Sequence, residues 1–382
     1  MSDGKSDNAS SSAAFASRLV DQLRRSDNLW RLPGGELRVP RVFGFCRGVT
    51  RALAMLQKAC QADAHRGRLF LLGQIIHNPW VNDYFQQRGV RILSPQEIAE
   101  LESHITAADC AIIPAFGVPL PVERRLRKTG CSIVDTSCGD VRRLWVWAEK
   151  AARNGFGLLI FGRANHDETV VTKSRLENVG GNYVVAGDLD QVRQFCRMIA
   201  DPQAAGTFRD VFGPQAANAD RLEPFYRLAQ VSQTTMLYDE TMEVRRLVTQ
   251  AYGQRFGEDS LGERLAFEPT VCRATQDRQA AAVELCRSGV DLVVVVGGFG
   301  SSNTRHLYEL ARSYTSAFFL EDVSAILSDK EIRTRDFVSG DETICRQWLP
   351  ARRPLRIGVL AGASTPEEVV GQVLQRLGDF LA

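Results

Sequence analysis

The sequence predicts an α/β protein made of three similar α/β modules with mostly parallel sheets. From Leu37 onward, short strand-like apolar runs alternate with helical stretches, which is typical of parallel βαβ units. In addition, Cys46, Cys138 and Cys272 each lie in a short loop where a strand-like run gives way to a helix. Because domain-sized intervals separate these cysteines, each is expected to mark one module.

The composition is that of a globular protein and excludes several other classes. Of the 382 residues, 44% are hydrophobic and 24% are charged, which is enough to build a core. The net charge of +2 gives no electrostatic reason to expect nucleic acid as a partner. No apolar run approaches the ~18–20 residues that span a bilayer, and residues 1–12 lack the apolar segment of a secretion signal. We therefore expect a cytoplasmic protein with a short disordered tail and no membrane contact.

Residues 1–36 are expected to form a tail and one amphipathic helix. Phe15, Leu19, Val20 and Leu23 recur at helical spacing within residues 15–25, and a Pro-Gly-Gly segment ends the pattern. The first module, residues 37–138, follows and contains Cys46. Its strands are expected at residues 38–43, 69–72, 110–114 and 132–135, and its helices at 49–60, 78–88 and 121–129.

The second module, residues 139–271, begins directly after Cys138, and the third, residues 272–382, begins at Cys272. Residues 201–222 are polar and rich in Ala and Asn, and we interpret them as an insertion or linker. Strands are expected at residues 157–161, 182–186, 227–231, 292–296, 317–320 and 356–360. Helices are expected at residues 141–153, 189–199, 240–252, 273–288, 304–313 and 366–377.

The cysteines indicate a metal site. The chain has nine, an odd number, without a C-x-x-C pair, so neither a secreted disulfide scaffold nor a zinc ribbon is expected. Three thiolates in matched loops would suit zinc, copper(I) or an iron–sulfur cluster. A fourth position left open would mark a site that acts on a substrate. The remaining six cysteines are expected to be inert.

Two loops have the composition of anion-binding segments. Residues 297–303 follow a valine-rich strand and open a helix, and residues 362–366 repeat this strand-to-helix layout with a proline near the helix start. Free backbone N–H groups at a helix N-terminus, beside hydroxyls and an amide, suit a phosphate or diphosphate. The polar side chains concerned are Ser301, Ser302, Asn303 and Ser364.

Further polar residues stand at other predicted strand-to-helix junctions. His77 and His166 could each donate a hydrogen bond to a phosphate oxygen, and Glu168 is a candidate proton carrier. Thr234 lies in a segment that supplies hydroxyl groups after another strand. The other three histidines lie on polar stretches and are expected to be solvated: His65, His104 and His306.

Eight motifs occur along the chain in a fixed order. They are Gly44-Phe45-Cys46-x-Gly48-Val49, Ile76-His77-Asn78-Pro79, Asp135-Thr136-Ser137-Cys138, Asn165-His166-x-Glu168-Thr169, Gln233-Thr234-Thr235-Met236, Cys272-x-Ala274-Thr275-Gln276-x-Arg278-Gln279, Gly297-Gly298-x-x-Ser301-Ser302-Asn303-Thr304 and Gly362-Ala363-Ser364-Thr365-Pro366. Together they resemble the motifs of the 4-hydroxy-3-methylbut-2-enyl diphosphate reductase family, also called IspH or LytB. The resemblance spans residues 39–377, and Pro114-Ala115-Phe116-Gly117 resembles the plant and cyanobacterial branch.

The resemblance implies a fold and a cofactor. The family has three modules in a pseudo-threefold arrangement around a central iron–sulfur site. By this resemblance Cys46, Cys138 and Cys272 hold a [4Fe–4S] cluster, whose fourth iron lacks a protein ligand. An electron donor such as ferredoxin or flavodoxin is also implied.

A reaction is implied as well, namely reductive dehydroxylation of (E)-4-hydroxy-3-methylbut-2-enyl diphosphate to isopentenyl and dimethylallyl diphosphate. This is the last step of the methylerythritol phosphate route to isoprenoids. Glu168 matches the family's proton-delivering acid, and Thr234 matches a hydroxyl that orients the substrate. The positions that match diphosphate-binding residues are His77, His166, Ser301, Ser302, Asn303 and Ser364.

The sequence departs from the family pattern beside the cysteines. Gly139 stands where Pro is usual, Asp140 follows it, and Gly300 replaces Asn. Four arginines stand at positions where other residues are usual: Arg47, Arg142, Arg143 and Arg273. Charges beside a cluster shift its reduction potential. Two alternatives therefore stay open, a paralogous [4Fe–4S] reductase or dehydratase acting on another anionic allylic alcohol, and a non-catalytic iron–sulfur sensor.

Overall fold

The computed structural model describes residues 14–62, 67–201, 203–204, 208–337 and 339–382. The tail expected at residues 1–12 lies outside these ranges. The chain divides into two compact units. The first comprises Met1–Asp63, Gln74–Val90 and Arg273–Ala382, and the second comprises Ala64–Gly73 and Arg91–Cys272.

The first unit is built on a five-stranded sheet. Its strands are β1 (Leu29–Leu32), β2 (Gly35–Arg38), β11 (Leu292–Val296), β12 (Ser316–Leu320) and β15 (Leu355–Ala361), in the order β1-β2-β15-β11-β12. The β1–β2 hairpin is antiparallel, whereas the other three pairings are parallel. The strand predicted at residues 38–43 is wrong, because β2 ends at Arg38. Pro40 has no backbone N–H to continue a ladder.

Helices cover the sheet of the first unit. They are Arg18–Arg24, Arg47–Gln61, Pro79–Gln86, Arg273–Arg287, Ser302–Arg312 and Glu367–Asp379, with a 3₁₀ turn at Val323–Ala325. Leu37, Val294, Ile357, Val373 and Leu377 are all fully buried in the core beneath them. A separate antiparallel hairpin, β13 (Glu331–Arg335) and β14 (Glu342–Arg346), lies in the chain between β12 and β15.

The second unit has two four-stranded sheets. One has the order β4-β3-β5-β6 and the other β10-β9-β7-β8. Their strands are β3 (Leu69–Leu71), β4 (Val90–Ile92), β5 (Cys110–Ile113), β6 (Ser132–Asp135), β7 (Gly157–Phe161), β8 (Tyr183–Ala186), β9 (Leu228–Ser232) and β10 (Leu265–Phe267). The helices are Pro95–Ala99, Leu101–His104, Leu120–Lys128, Gly139–Arg153, Asp167–Asn178, Leu189–Ala200, Phe208–Val211, Tyr238–Phe256 and Leu261–Arg264, with 3₁₀ turns at Glu223–Phe225 and Glu258–Ser260.

The segment interpreted as an insertion or linker contributes to the core of the second unit. Phe208 and Phe212 are 1% and 2% exposed, and their rings contact Phe195 and Phe225. Leu222, at the end of the segment, is also buried. The linker interpretation is therefore wrong for the described part of residues 201–222. It relied on the mostly polar composition of the segment and overlooked these few apolar side chains.

One prediction about the histidines is also wrong. His306 was expected to be solvated, but it is buried, with 7% of its surface exposed. It lies on the inner side of the helix Ser302–Arg312, where Thr304 and Leu307 are buried as well. His65 lies outside the described residues.

The predicted α/β class with mostly parallel sheets is confirmed. The boundaries of the three modules and their threefold arrangement stay predictions. Within the described ranges, no helix is long and apolar enough to cross a membrane.

Candidate active site

The two anion-binding loops of the first unit lie side by side because they leave neighbouring strands. β11 and β15 are parallel partners, with Val296 opposite Ala361 at their carboxyl ends. The loops of residues 297–303 and 362–366 therefore begin at the same edge of the sheet, where ligands of open α/β sheets bind. The Thr365 hydroxyl donates to the carbonyl oxygen of Val296 at 3.0 Å and ties the second loop to the first strand.

Polar side chains of the two loops contact each other directly. The Ser364 hydroxyl donates to Oγ of Ser301 at 3.2 Å, and the N–H of Ala363 donates to Oδ1 of Asn303 at 2.9 Å. Ser301, Ser302, Asn303 and Ser364 are all buried. Nδ2 of Asn303 is buried without a hydrogen-bond partner among the described residues, so it is a donor that a ligand could satisfy.

His77 borders the same loop. A Cβ added to Gly298 would lie 2.2 Å from the carbonyl oxygen of His77, so only glycine permits this approach. A Cβ at Gly300 would lie 3.7 Å from Nδ1 of the His77 ring. The structure therefore brings together five of the six residues predicted to bind diphosphate: His77, Ser301, Ser302, Asn303 and Ser364.

The electrostatics of this loop favour an anion. Ser301 is the N-cap of the helix Ser302–Arg312, and its hydroxyl oxygen accepts from the N–H of Thr304 at 3.3 Å. The first turn of this helix has no acidic residue. The positive end of the helix dipole is therefore not neutralised by a side chain of that turn.

Cys46 lies next to these loops in the first unit. Its backbone N–H donates to the carbonyl oxygen of Ala363 at 3.1 Å, and its sulfur accepts from the N–H of Val49 at 3.4 Å. The Arg278 guanidinium donates to the carbonyl oxygen of Gly44 at 2.6 Å, which holds the segment that precedes the cysteine. Cys46 is thus half-buried at the start of a helix, directly beside the residue that precedes Ser364.

Glu168 and Thr234 form the corresponding polar pair of the second unit. They follow β7 and β9, which are parallel partners with Phe161 opposite Ser232. The backbone N–H of Thr234 donates to Oε1 of Glu168 and the Thr234 hydroxyl donates to Oε2, both at 2.6 Å. Glu168 is 3% exposed, so both carboxyl oxygens are held in a buried environment.

Burial dominates the acidity of this carboxyl group. Desolvation raises the pKa of Glu168 to about 7, and the nearby charge of Asp140 acts in the same direction. The two hydrogen bonds from Thr234 oppose this shift, because they stabilise the ionised form. A carboxyl group with a pKa near neutral pH can hold and release a proton during a reaction.

The same pair is linked to Cys272 and His166. The backbone N–H of Cys272 donates to the carbonyl oxygen of Thr234 at 3.0 Å. The N–H of Glu168 donates to Nδ1 of His166 at 3.3 Å, so the neutral imidazole carries its proton on Nε2. Backbone contacts therefore join the candidate proton carrier to one predicted cluster ligand and one predicted diphosphate ligand.

Cys138 is placed by the segment that follows β5 and by the helix that it begins. Its N–H donates to the carbonyl oxygen of Ala115 at 2.8 Å, and it caps the helix Gly139–Arg153. Trp145 of this helix packs against Val171 of the helix that carries Glu168, with Cys138 beside them. Gly117 has a φ of +81°, and a Cβ there would lie 2.4 Å from the Trp145 ring, so glycine is required at this contact.

The three predicted metal-binding cysteines have the same local setting. Each is half-buried and lies directly before a helix of 15 residues. The positive end of a helix dipole stabilises a thiolate, so this donor set suits an iron–sulfur cluster. Among the described residues, no group of three or more His, Cys, Asp or Glu side chains that could hold a metal ion is found. The three-thiolate site therefore belongs to the proposal below.

The residues that depart from the family pattern are mostly on the surface. The four arginines at unusual positions are exposed: Arg47, Arg142, Arg143 and Arg273. Arg142 pairs with Asp135 at 2.5 Å, and Arg273 pairs with Asp277 at 2.8 Å. Asp140 is different, because its charge acts on the buried Glu168. Sequence patterns do not indicate this effect, since the two residues lie in different helices.

Comparison with known proteins identifies the family. A family model described as LytB protein matches residues 38–378. The chain belongs to the LytB family. Relatives named 4-hydroxy-3-methylbut-2-enyl diphosphate reductase support this: one from Synechococcus is 36% identical over 96% of this chain and 91% of its own length. Another from Thermosynechococcus vestitus is 33% identical over 95% of this chain and 89% of its own length.

Solved structures agree with the LytB fold. The reductase structure from Plasmodium falciparum has a TM-score of 0.64 at 19% identity and covers 89% of this chain and 86% of its own. A second solved structure, titled as the terminal enzyme of the non-mevalonate pathway, has a TM-score of 0.54 at 24% identity and covers 90% of this chain and 99% of its own. The LytB family uses an iron–sulfur cluster. The names of the relatives favour the reductase over the paralogous enzyme and the sensor.

Proposed function

We propose that this LytB protein reduces (E)-4-hydroxy-3-methylbut-2-enyl diphosphate to isopentenyl and dimethylallyl diphosphate. The reaction replaces an allylic C–O bond by a C–H bond, consumes two electrons and two protons, and releases water. The observation that supports it most is the buried Glu168–Thr234 pair. Such a reaction needs a proton donor that still carries its proton near pH 7. Anion-binding loops in the first unit and the names of the relatives agree with it.

Cys46, Cys138 and Cys272 are the residues that would hold a [4Fe–4S] cluster. The support is their matched placement before three helices, together with the family's use of such a cofactor. When bound, the cluster supplies electrons one at a time and a Lewis-acidic iron without a protein ligand. The protein would receive those electrons from a small donor such as ferredoxin or flavodoxin.

The diphosphate would be held by the two loops and the two histidines. Ser301, Ser302, Asn303 and Ser364 offer three hydroxyls and an amide, and the helix N-terminus adds backbone N–H groups. His77 and His166 would donate from their ring nitrogens. Many charge-assisted hydrogen bonds fix the orientation of a flexible diphosphate, which positions the reacting C–O bond.

Glu168 would deliver the proton to the departing oxygen. In its neutral form it can donate, whereas the carboxylate can only accept. Thr234 holds both oxygens of the carboxyl group and so sets the direction of the remaining lone pairs and proton. The hydroxyl of Thr234 would also orient the substrate's own hydroxyl group.

The proposal is tested by a direct assay under anaerobic conditions. The purified full-length protein, reduced chemically, should convert the hydroxylated diphosphate to the two isomeric products. Its gene should also restore growth of a bacterial strain that lacks this reductase. If the protein has the brown iron–sulfur absorbance but leaves the substrate unchanged, the paralogous enzyme is favoured. If the protein lacks this absorbance, the cluster is no longer part of the proposal. The cytoplasmic location expected from the sequence stays a prediction.

A further inference from the structure

Phe299 lies inside the proposed anion loop but cannot itself bind an anion. It is the only residue between positions 297 and 300 with a side chain, because the other three are glycines. Glycine loses more conformational entropy on ordering than any other residue. A loop of this composition needs an external contact to hold one conformation, and the Phe299 ring is where such a contact can act.

The hairpin β13–β14 supplies two such contacts to the ring. Phe337, in the hairpin turn, stacks on Phe299 with ring centroids 5.1 Å apart and planes 8° apart. The Arg335 guanidinium carbon lies 4.0 Å from the centroid of the Phe299 ring. Aromatic stacking and cation–π contacts each add stabilisation beyond the buried area.

The clamping side chains are themselves fixed. The Phe337 ring also contacts Phe319 of β12 at 4.5 Å and Tyr308 of the helix Ser302–Arg312 at 5.5 Å. Nε of Arg335 donates to the carbonyl oxygen of Gly340 at 2.7 Å, which holds the arginine within the hairpin. The hairpin is thus joined both to the sheet and to the helix that the anion loop opens.

The backbone of Phe299 is held as well. Its N–H donates to the Glu321 carboxylate at 2.8 Å. Phe299 is therefore held through both its ring and its N–H group, while Gly298 and Gly300 allow the close approach of the loop to His77.

We propose that Phe337 and Arg335 are positioning residues for the diphosphate and act through Phe299. They hold residues 297–303 in the conformation that presents Ser301, Ser302 and Asn303 at the helix N-terminus. That the ligand is a diphosphate rests on the proposed function, whereas the contact between the hairpin and the loop is independent of it. A preorganised loop avoids an ordering cost on binding, so losing the clamp should weaken binding and leave proton delivery at Glu168 intact.

The test uses the full-length holoenzyme and the variants Phe337→Ala and Arg335→Ala. Both should raise the Kd for inorganic diphosphate and the KM for the substrate by about three- to tenfold, with kcat within about twofold of the original. Backbone amides of residues 299–303 should exchange faster with deuterium. Phe337→Tyr, which keeps the stack, should restore all three values, and Arg333→Ala should change none, because Arg333 is an exposed arginine of the same strand.

Three outcomes would overturn the inference. Unchanged deuterium exchange in Phe337→Ala would show that the hairpin does not order the loop. A lower melting temperature with unchanged Kd and KM would leave the hairpin only a stabilising role. The third outcome is that Phe337→Ala speeds deuterium exchange in the loop but the original protein binds no diphosphate. The proposed function then fails, and the role of the hairpin in positioning diphosphate fails with it.

Discussion

At the scale of single residues, two opposing effects set the acidity of Glu168, the proposed proton donor. Burial disfavours its charge, whereas two hydrogen bonds from Thr234 favour it, and burial prevails. An exposed glutamate would be ionised at neutral pH and unable to give a proton. The fold therefore lets Glu168 hold a proton at a pH where an exposed glutamate would be ionised.

The substitution Glu168→Gln tests that role. Glutamine keeps the shape and can still contact Thr234, but it has no acidic proton to deliver. We expect cluster content and diphosphate affinity to be retained and turnover to fall by at least about a hundredfold, within the range for general acids. Single-turnover rates with matched iron content measure this. An unchanged rate with a slightly lower melting temperature would show that Glu168 is only a charge at a helix N-terminus.

The pH dependence follows from the same residue. Because the protonated form acts, kcat should fall as the pH rises through about 7. The free energy of unfolding should change with pH in the same direction. The pKa of Glu168 is about 7 in the folded state and 4.5 ordinarily, so protonated Glu168 stabilises the fold. This contribution is complete below pH 4.5 and is lost as the pH rises through about 7. Glu168→Gln should remove this pH-dependent part of the free energy of unfolding.

Thr234→Val provides the control for that assignment. It removes a hydroxyl that stabilises the carboxylate, so it should raise the pKa of Glu168 and move the fall in kcat to higher pH. Thr234→Ser keeps the hydroxyl and should leave the pH profile in place. If the valine variant has the original profile, another group is responsible for the fall.

At the scale of elements, parallel neighbours explain why distant segments meet. β11 and β15 are far apart in the chain, but their pairing brings the loops that follow them into hydrogen-bonding contact. In the second unit, β7 and β9 do the same for the loops that carry Glu168 and Thr234. Each unit thus forms its polar cluster at the carboxyl edge of one sheet.

The helix N-terminus of the first unit gives a prediction about affinity. A hydrogen bond to a charged group is worth roughly 1.5–3 kcal/mol, so Ser302→Ala or Asn303→Ala should each weaken diphosphate binding about ten- to a hundredfold. Titration calorimetry with the substrate measures this. Ser313→Ala, at the exposed C-terminal end of the same helix, should bind normally. Unchanged affinity in the Ser302→Ala, Asn303→Ala double variant would remove the diphosphate from this loop.

The aromatic cluster around residue 212 gives a prediction about stability. Truncating a buried phenylalanine leaves a cavity, so Phe212→Ala should lower the free energy of unfolding by about 3–5 kcal/mol. Urea unfolding followed by circular dichroism measures it, with the exposed Asp210→Ala as control. A loss below about 0.5 kcal/mol, as for a surface position, would mean that the segment behaves as a linker after all.

At the scale of the whole molecule, the two units contain different residues of the proposed site. The first contains Cys46 and the loops proposed to bind diphosphate, and the second contains Cys138, Cys272 and the proposed proton carrier Glu168. Two of the remaining cysteines differ from the proposed ligands in their burial. Burial raises the pKa of Cys196 to about 12 and that of Cys286 to about 11, so these thiols stay protonated and are poor ligands.

This contrast provides a control for testing the proposed ligand assignment. Cys46→Ala, Cys138→Ala and Cys272→Ala should each abolish the brown absorbance of the anaerobically purified protein, because each removes one thiolate. Cys286→Ala should retain it, with iron and sulfide content measured in parallel. Loss of the absorbance in Cys286→Ala, together with its retention in one of the three, would contradict the assignment.

The sequence by itself determined the α/β class, most helices and strands, and the loops that contain the candidate site. These features depend on local periodicity and on turn residues, as the match of residues 292–296 to β11 illustrates. Tertiary structure alone decided that β2 pairs with β15, that Phe208 and Phe212 join the core, and that Asp140 acts on Glu168. It also brought Phe337 and Arg335 into contact with the Phe299 ring. Such contacts join residues that are distant in the chain and depend on how the core packs. Packing of this kind does not produce a periodic pattern in the sequence.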